Sequence, residues 1–352
     1  MRTTRTLILA PVLLTALLLP GCRQAPAPAA DAVDPAALTA FAPLPADVPS
    51  AQGTISDEQV ALGRMLYYEP RLSKSQKISC NTCHDLAKYG VDGEPTSDGH
   101  KGQKGDRNSP TVYNAAAHFV QFWDGRAPDV EAQAKGPVLN PVEMAMASES
   151  TAVAVLASMP EYVERFKKAF PDDPTPISYD NMAKAIGAFE RRLMTPSRWD
   201  ALLKGDDAAL TPAERMGLKT FLEAGCQSCH NGALLGGTSY QRIGMVQPFP
   251  RNADPGRAKV TGDPSDTAMF KVPSLRNVEK TGPYFHDGQT TSLEQAVKDM
   301  GFYQLGKPLT DEQVGHIVEF MKVLTGKIDA EYIKPPVLPP STAKTPKPDL
   351  SD

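Results

Sequence analysis

Cys80-Asn81-Thr82-Cys83-His84 is the stretch around which this chain is organised. Two thiols three residues apart can each add across a vinyl group of one haem, and the histidine that follows lands beneath the iron as its axial ligand. A bare cysteine pair at this spacing would also suit a redox disulfide or half of a zinc site. The same five-residue pattern recurs at Cys226-Gln227-Ser228-Cys229-His230, and these four cysteines with Cys22 are all that the chain contains. A dithiol-only reading leaves both adjacent histidines unexplained. The motifs therefore predict two covalently bound c-type haems.

The surroundings of the two motifs repeat as well. Gly63 to Tyr67 precedes the first and Gly217 to Phe221 the second. Downstream come Pro110-Thr111-Val112-Tyr113-Asn114 and Phe122-Trp123-Asp124-Gly125, matched by Pro273-Ser274-Leu275-Arg276-Asn277 and Phe285-His286-Asp287-Gly288. Val130-Glu131 aligns with Leu293-Glu294, and Trp123 and His286 take equivalent places. Two cytochrome c-like haem domains related by internal duplication are the simplest account, each enclosing its own haem in apolar surface.

A chain of 352 residues has room for two such cores, and a formal net charge of -4 gives no bulk electrostatic reason to bind nucleic acid. Residues 1–21 read as a signal peptide, with Arg2 and Arg5 ahead of an apolar run from Leu7 to Leu19. The run closes on Leu19-Pro20-Gly21-Cys22, which resembles a lipoprotein box and makes Cys22 a candidate lipid anchor. An ordinary cut nearby would leave Cys22 a free thiol instead. Either way the chain is expected in the periplasm. Residues 22–50, rich in Ala and Pro, read as a stalk. Residues 51–195 and 196–327 are then the two haem domains.

The fold class is mainly α. Ser56 with Gln59, Thr211 with Glu214, and Thr310 with Gln313 form capping boxes, and Pro212 sits at a first helical position. Residues 151–170, 178–194 and 291–300 also carry helical patterns, and no alternating strand pattern stands out.

The halves differ where chemistry would differ. The polar loop Pro95 to Gly105 carries His100 among Gly99, Gly102 and Gly105, and glycine makes such a loop mobile. His100 is either a ligand that binds and releases iron or a solvated loop histidine. His118 is a rival whose apolar setting suits a core residue. Met300 follows a helical stretch and is a candidate sixth ligand of the second haem, with Met245 and Met269 competing.

Several strings now resemble the bacterial dihaem cytochrome c peroxidases. They include Gly90-Val91-Asp92-Gly93, Gly105 to Thr111, Gln121 to Arg126, Ala132 to Pro137, Pro141-Val142-Glu143-Met144, Phe270 to Asn277 and Gly282 to Gly288. The resemblance spans about residues 50 to 340. It implies that the haem on Cys80 and Cys83, with His84, is the peroxidatic centre, and that His100 is a ligand leaving when the other haem is reduced. Gln133 and Glu143 match the polar pair over the vacated face, and Trp123 the aromatic bridge between haems. The haem on Cys226 and Cys229, with His230 and Met300, matches the high-potential centre where electrons enter. Asn108 by its side chain, with Thr281 and Pro283 by carbonyl oxygens, matches a calcium site at the domain junction. The family pattern also implies a homodimer, and it packs residues 328–345 back on the first domain.

The chemistry is coherent without the family. Splitting hydrogen peroxide requires a proton moved from one oxygen to the other, and a carboxylate in apolar surroundings such as Glu143 suits that task. A small monohaem cytochrome c or a copper protein is the expected electron donor. Two alternatives differ in class. A non-catalytic dihaem electron carrier would keep its first haem permanently six-coordinate. A related dihaem enzyme oxidising tryptophan on a partner protein would use a tyrosine such as Tyr303 in place of Met300.

Overall fold

A computed structural model describes residues 31, 33–51, 53–251 and 253–350. The expected signal peptide and Cys22 lie outside the described residues.

The chain is mainly helical. All three capping boxes form: Ser56 Oγ accepts from Gln59 N while Ser56 N donates to Gln59 Oε1, and Thr211–Glu214 and Thr310–Gln313 do the same. These open the helices Asp57–Tyr67, Pro212–Ala224 and Asp311–Val323. The pattern over 151–170 resolves into two helices, Glu149–Ala157 and Pro160–Ala169. Pro160 cannot continue a helix but suits its first position, so the break falls just before it. The stretch expected at 291–300 is the helix Leu293–Asp299, followed by a π-turn over Met300–Gln304. Tyr240–Arg242 and Met269–Lys271 pair as a short antiparallel ribbon, with Tyr240 opposite Lys271. Three-residue strands are too short to leave an alternating pattern.

Two hydrophobic clusters form. One gathers residues between Val60 and Leu193 with Ile333; the other gathers Phe41 with residues between Trp199 and Leu324. The same contacts recur in each. Gly63 faces the carbonyl of Ala185 on the helix Tyr179–Glu190, and a Cβ there would sit 1.7 Å from that oxygen. Gly217 faces the carbonyl of His316, where a Cβ would sit 2.1 Å away. In both places only glycine lets the two helices approach so closely. Phe122 and Phe285 share left-handed backbone, with φ of 65° and 67°.

Two chain ends return to these cores. Tyr332 stacks on Phe189 with ring centroids 5.0 Å apart, Tyr68 Oη donates to Ile333 O, and Ser158 Oγ donates to Thr345 Oγ1. The segment Pro35 to Pro49, assigned to the stalk on composition, is held on the folded chain. Phe41 meets Trp199 edge-on at 5.2 Å, Leu44 N donates to Asp200 Oδ1, and Arg191 Nη1 donates to Pro49 O. Proline richness reported an irregular backbone there, and buried anchors such as Phe41 and Leu44 fix it in place.

Candidate active site

Ser79 caps a single helical turn, Cys80–Cys83, by reciprocal bonds with Thr82. That turn sets both thiols and His84 on one cavity of about 630 Å³. His84 N donates to Cys80 O, and Tyr67 Oη donates to His84 O at 2.7 Å, which pins the residue after the turn. Burial pushes the Cys83 thiol up to about 11 and Cys80 higher still, so neither is primed as a thiolate. Burial also holds the His84 ring below its ordinary pKa, leaving it neutral with a lone pair to give.

Gln133, on the helix Val130–Leu139, and Glu143 line the same cavity. Asn140 Nδ2 donates to Glu143 Oε1 at 2.7 Å. Burial raises the Glu143 pKa, against opposing pulls from Arg126 and Asn140. Arg126 lies over the Phe122 ring at 3.5 Å. The arrangement offers a carboxylate and an amide beside a cavity, with a cation in reserve.

Gly99 beside His100, and Val142 and Glu143 to which it bonds, line this cavity, whereas His100 itself is not among the lining residues. It lies buried at 5% exposure, and its backbone N–H donates to Val142 O and Glu143 O at 2.9 and 2.8 Å. Neither ring nitrogen has a partner among the described residues. The loop around His100 is closed by backbone bonds: Gly99 N donates to Gln103 O, Gly102 N to Gly99 O, and Gly105 N to Ser97 O.

The second cavity gathers Cys226, Cys229, His230 and Met300 among apolar walls that include Phe221, Leu275, Val297 and Ile317. His230 Nδ1 lies 3.0 Å from Leu235 O, which makes Nδ1 the donor and leaves Nε2 free to bind a metal. Met245 is 54% exposed, and neither it nor Met269 reaches this cavity. Met321 does, though it packs into the core, and the sequence reading passed over it. Tyr303 does not line the cavity; its ring sits edge-on to Phe249 at 5.3 Å.

Asn108, Pro110, Thr111, His118, Trp123 and Lys271 line both cavities. Trp123 Nε1 donates to Asn108 O at 2.9 Å, and its ring meets His286 edge-on at 6.5 Å. His286 in turn stacks on Phe270 at 4.2 Å. Thr281 and Pro283 line the second cavity with Asn108, whose Nδ2 donates to Glu94 O. Among the described residues no group of three or more His, Cys, Asp or Glu side chains is gathered as for a metal ion.

The sequence reading missed two features here. Glu190, at 4% exposure, lines the first cavity, and burial reinforced by Glu131 pushes its pKa up to about 8. His118, taken as core, bonds Lys271 across a sequence gap that no local pattern reports.

The residues fit haem. Each cavity presents two thiols and a neutral imidazole on one wall, and the second adds a thioether. A family profile described as Di-haem cytochrome c peroxidase matches residues 57–208. The chain is 47% identical over 325 residues to Cytochrome c551 peroxidase of Pseudomonas aeruginosa, covering 91% of this chain and 93% of that protein. It is 49% identical over 292 residues to Cytochrome c551 peroxidase of Nitrosomonas europaea, covering 82% and 86%. Among solved structures, a MauG-like protein associated with microbial copper homeostasis superposes with a TM-score of 0.74 at 27% identity, covering 83% of this chain and 97% of that one.

Proposed function

The chain belongs to the di-haem cytochrome c peroxidase family, and from that premise we propose that it reduces hydrogen peroxide to water with electrons from a small redox protein. It is a dihaem enzyme. Electrons enter at the haem held by Cys226, Cys229, His230 and Met300 and pass by Trp123 to the haem held by Cys80, Cys83 and His84. The observation that carries this reading is the meeting of Glu143 and Gln133 with Cys80, Cys83 and His84 on one cavity.

When bound, the first haem supplies the iron that takes peroxide and the electrons that cleave it. Around it the chain moves protons. Glu143 takes the proton from one peroxide oxygen and returns it to the other, and burial, by raising its pKa, makes it the stronger base for that exchange. Asn140 fixes which way the carboxylate turns, and the Gln133 amide orients the substrate. Met300, rather than Tyr303, on the second cavity favours peroxide reduction over oxidation of tryptophan on a partner. A thioether ligand gives that haem the higher potential, as an entry point needs.

Duplication of one haem-carrying unit is supported by the recurring glycine contacts and paired backbone angles. The domains 51–195 and 196–327, with 328–345 returning to the first, follow the two clusters and the tail's bonds. Calcium at the junction would rest on neutral oxygens from Asn108, Thr281 and Pro283, a donor set that suits a hard cation. His100 serves as a ligand only after its turn leaves Val142 and Glu143. The family resemblance supports a homodimer, a small cytochrome c or copper protein as donor, and a periplasmic location. The Leu19-Pro20-Gly21-Cys22 box supports a lipid anchor. No helix among the described residues is long and apolar enough to cross a membrane.

The test is peroxide-dependent oxidation of a reduced small cytochrome c, measured on protein with two haems per chain. Turnover after one-electron reduction is expected; none at any stage of reduction would leave only an electron carrier.

A further inference from the structure

Lys271 Nζ lies 2.7 Å from His118 Nδ1, and Lys271 is 5% exposed. Both residues line both cavities. The ammonium has three N–H donors and no acceptor, and one is spent on His118. That bond puts the histidine's own proton on Nε2, an atom shielded from solvent with no partner among the described residues. Asp124, the carboxylate that pulls on Lys271, is already engaged by Arg107 at 2.7 Å and Arg126 at 2.9 Å.

The chain builds this pair deliberately. Lys271 N donates to Trp123 O, and the strand pairing of Met269–Lys271 with Tyr240–Arg242 fixes its direction. Gly237, with φ of +72°, leaves room where a Cβ would press 2.6 Å from the His118 ring. A cluster of donors without acceptors, sealed between two cavities, is costly unless an anion meets it. Burial pulls Lys271 down to about 7 despite the opposing pull of Asp124, so its charge needs a further counter-charge to persist near neutrality.

We propose that Lys271 and His118 form a carboxylate-binding site between the two cavities and that it takes a haem propionate. A propionate oxygen there accepts from Lys271 Nζ and from His118 Nε2–H, giving charge-assisted bonds in a water-poor setting. The site rests on the two-haem reading, because haem is the carboxylate-bearing group that both cavities would hold. Its consequence is electrostatic: a cation held beside a haem favours the reduced form, so the pair sets a potential as well as an orientation.

The experiment uses the holoprotein with Lys271→Met and His118→Gln. Thioether attachment does not need either residue, so two haems per chain should remain by haemochrome assay. The expected result is a lowered midpoint potential for one or both haems in Lys271→Met. The haem propionate bending band in the resonance Raman spectrum should also shift in both variants. Lys271→Arg should restore the potential in part. Unchanged potentials and an unchanged propionate band, in variants holding two haems, would overturn the site and assign the pair to bound water. Wild-type protein carrying fewer than two haems would instead overturn the two-haem reading. If Lys271→Met fails to fold, the propionate band in His118→Gln decides alone.

Discussion

Asn114 and Asn277 donate to the same hydroxyl, Thr195 Oγ1, each at 2.8 Å. Both adopt left-handed backbone, with φ of 60° and 61°, and each opens a short 3-10 turn. Asn114 N donates to Leu193 O and Asn277 N to Leu324 O. Their side-chain oxygens accept from Thr195 N and Gly326 N. Matching residues from the two halves therefore converge on one buried side chain.

Thr195→Val keeps the shape and removes the hydroxyl. Two buried amides then lose their acceptor, at about 1–3 kcal/mol for each unsatisfied group. Denaturant unfolding should show a clearly lower midpoint, with both haems retained. An unchanged midpoint would mean that water replaces the hydroxyl and that the shared bond contributes little.

Glu143→Gln keeps the size and the Asn140 contact but cannot carry the proton. Steady-state turnover of peroxide should fall by about a hundredfold to ten-thousandfold. Both haem potentials should stay in place. Wild-type turnover in this variant would move the proton shuttle elsewhere.

Glu190 gives a pH signature with a definite sign. Its folded pKa is raised from 4.5 to about 8, burial being the main cause and Glu131 the next. Below 4.5 both folded and unfolded states hold the proton, and the residue has no pH-dependent effect. As pH climbs from there toward 8, the unfolded chain ionises first, so the folded state loses up to about 1.4 kcal/mol per unit. Above that window both states are ionised and the slope ends. Glu190→Gln should therefore gain on the wild type between pH 5 and 8 in urea unfolding. Parallel stability curves across that range would show that Glu190 is ionised in the fold.

Met300→His tests electron entry. Imidazole stabilises ferric iron better than a thioether does, so the high-potential couple should fall. Oxidation of a high-potential donor should then stop. A redox titration without a shift would pass the ligand to Met321, which lines the same cavity.

How much of this could be read from the chain depended on sequence distance. The haem motifs and capping boxes are local, spanning four or five residues, and the helices begin where they say. The Gly63 and Gly217 contacts were visible as repeated strings, though not as close backbone approaches. Features made by distant residues left no trace: Lys271 with His118, Phe41 with Trp199, and Glu190 on the cavity wall. Proline content misled at 35–49, because it describes backbone irregularity and is silent on burial. One of the glycines around His100 also serves a close contact that composition does not report.

That glycine is Gly99. A Cβ on it would sit 1.9 Å from Val142 O, so only glycine lets the His100 turn lie against residues 142 and 143. The close approach holds His100 N on the carbonyls of Val142 and Glu143, and His100 is not among the residues lining the cavity. Ligation of iron by His100, as proposed above, would compete with these contacts, and the two arrangements would differ by what each gains. Gly99→Ala weakens the docked arrangement alone. Its oxidised first haem should become more six-coordinate and low-spin, and peroxide turnover after one-electron reduction should fall. Gly99→Ala with His100→Gly should recover that turnover, because the competing ligand is gone, and His100→Gly alone should be active without reduction. Optical and electron paramagnetic resonance spectra decide the matter. A Gly99→Ala protein with unchanged spin state would separate His100 from the iron and leave its turn a structural feature only.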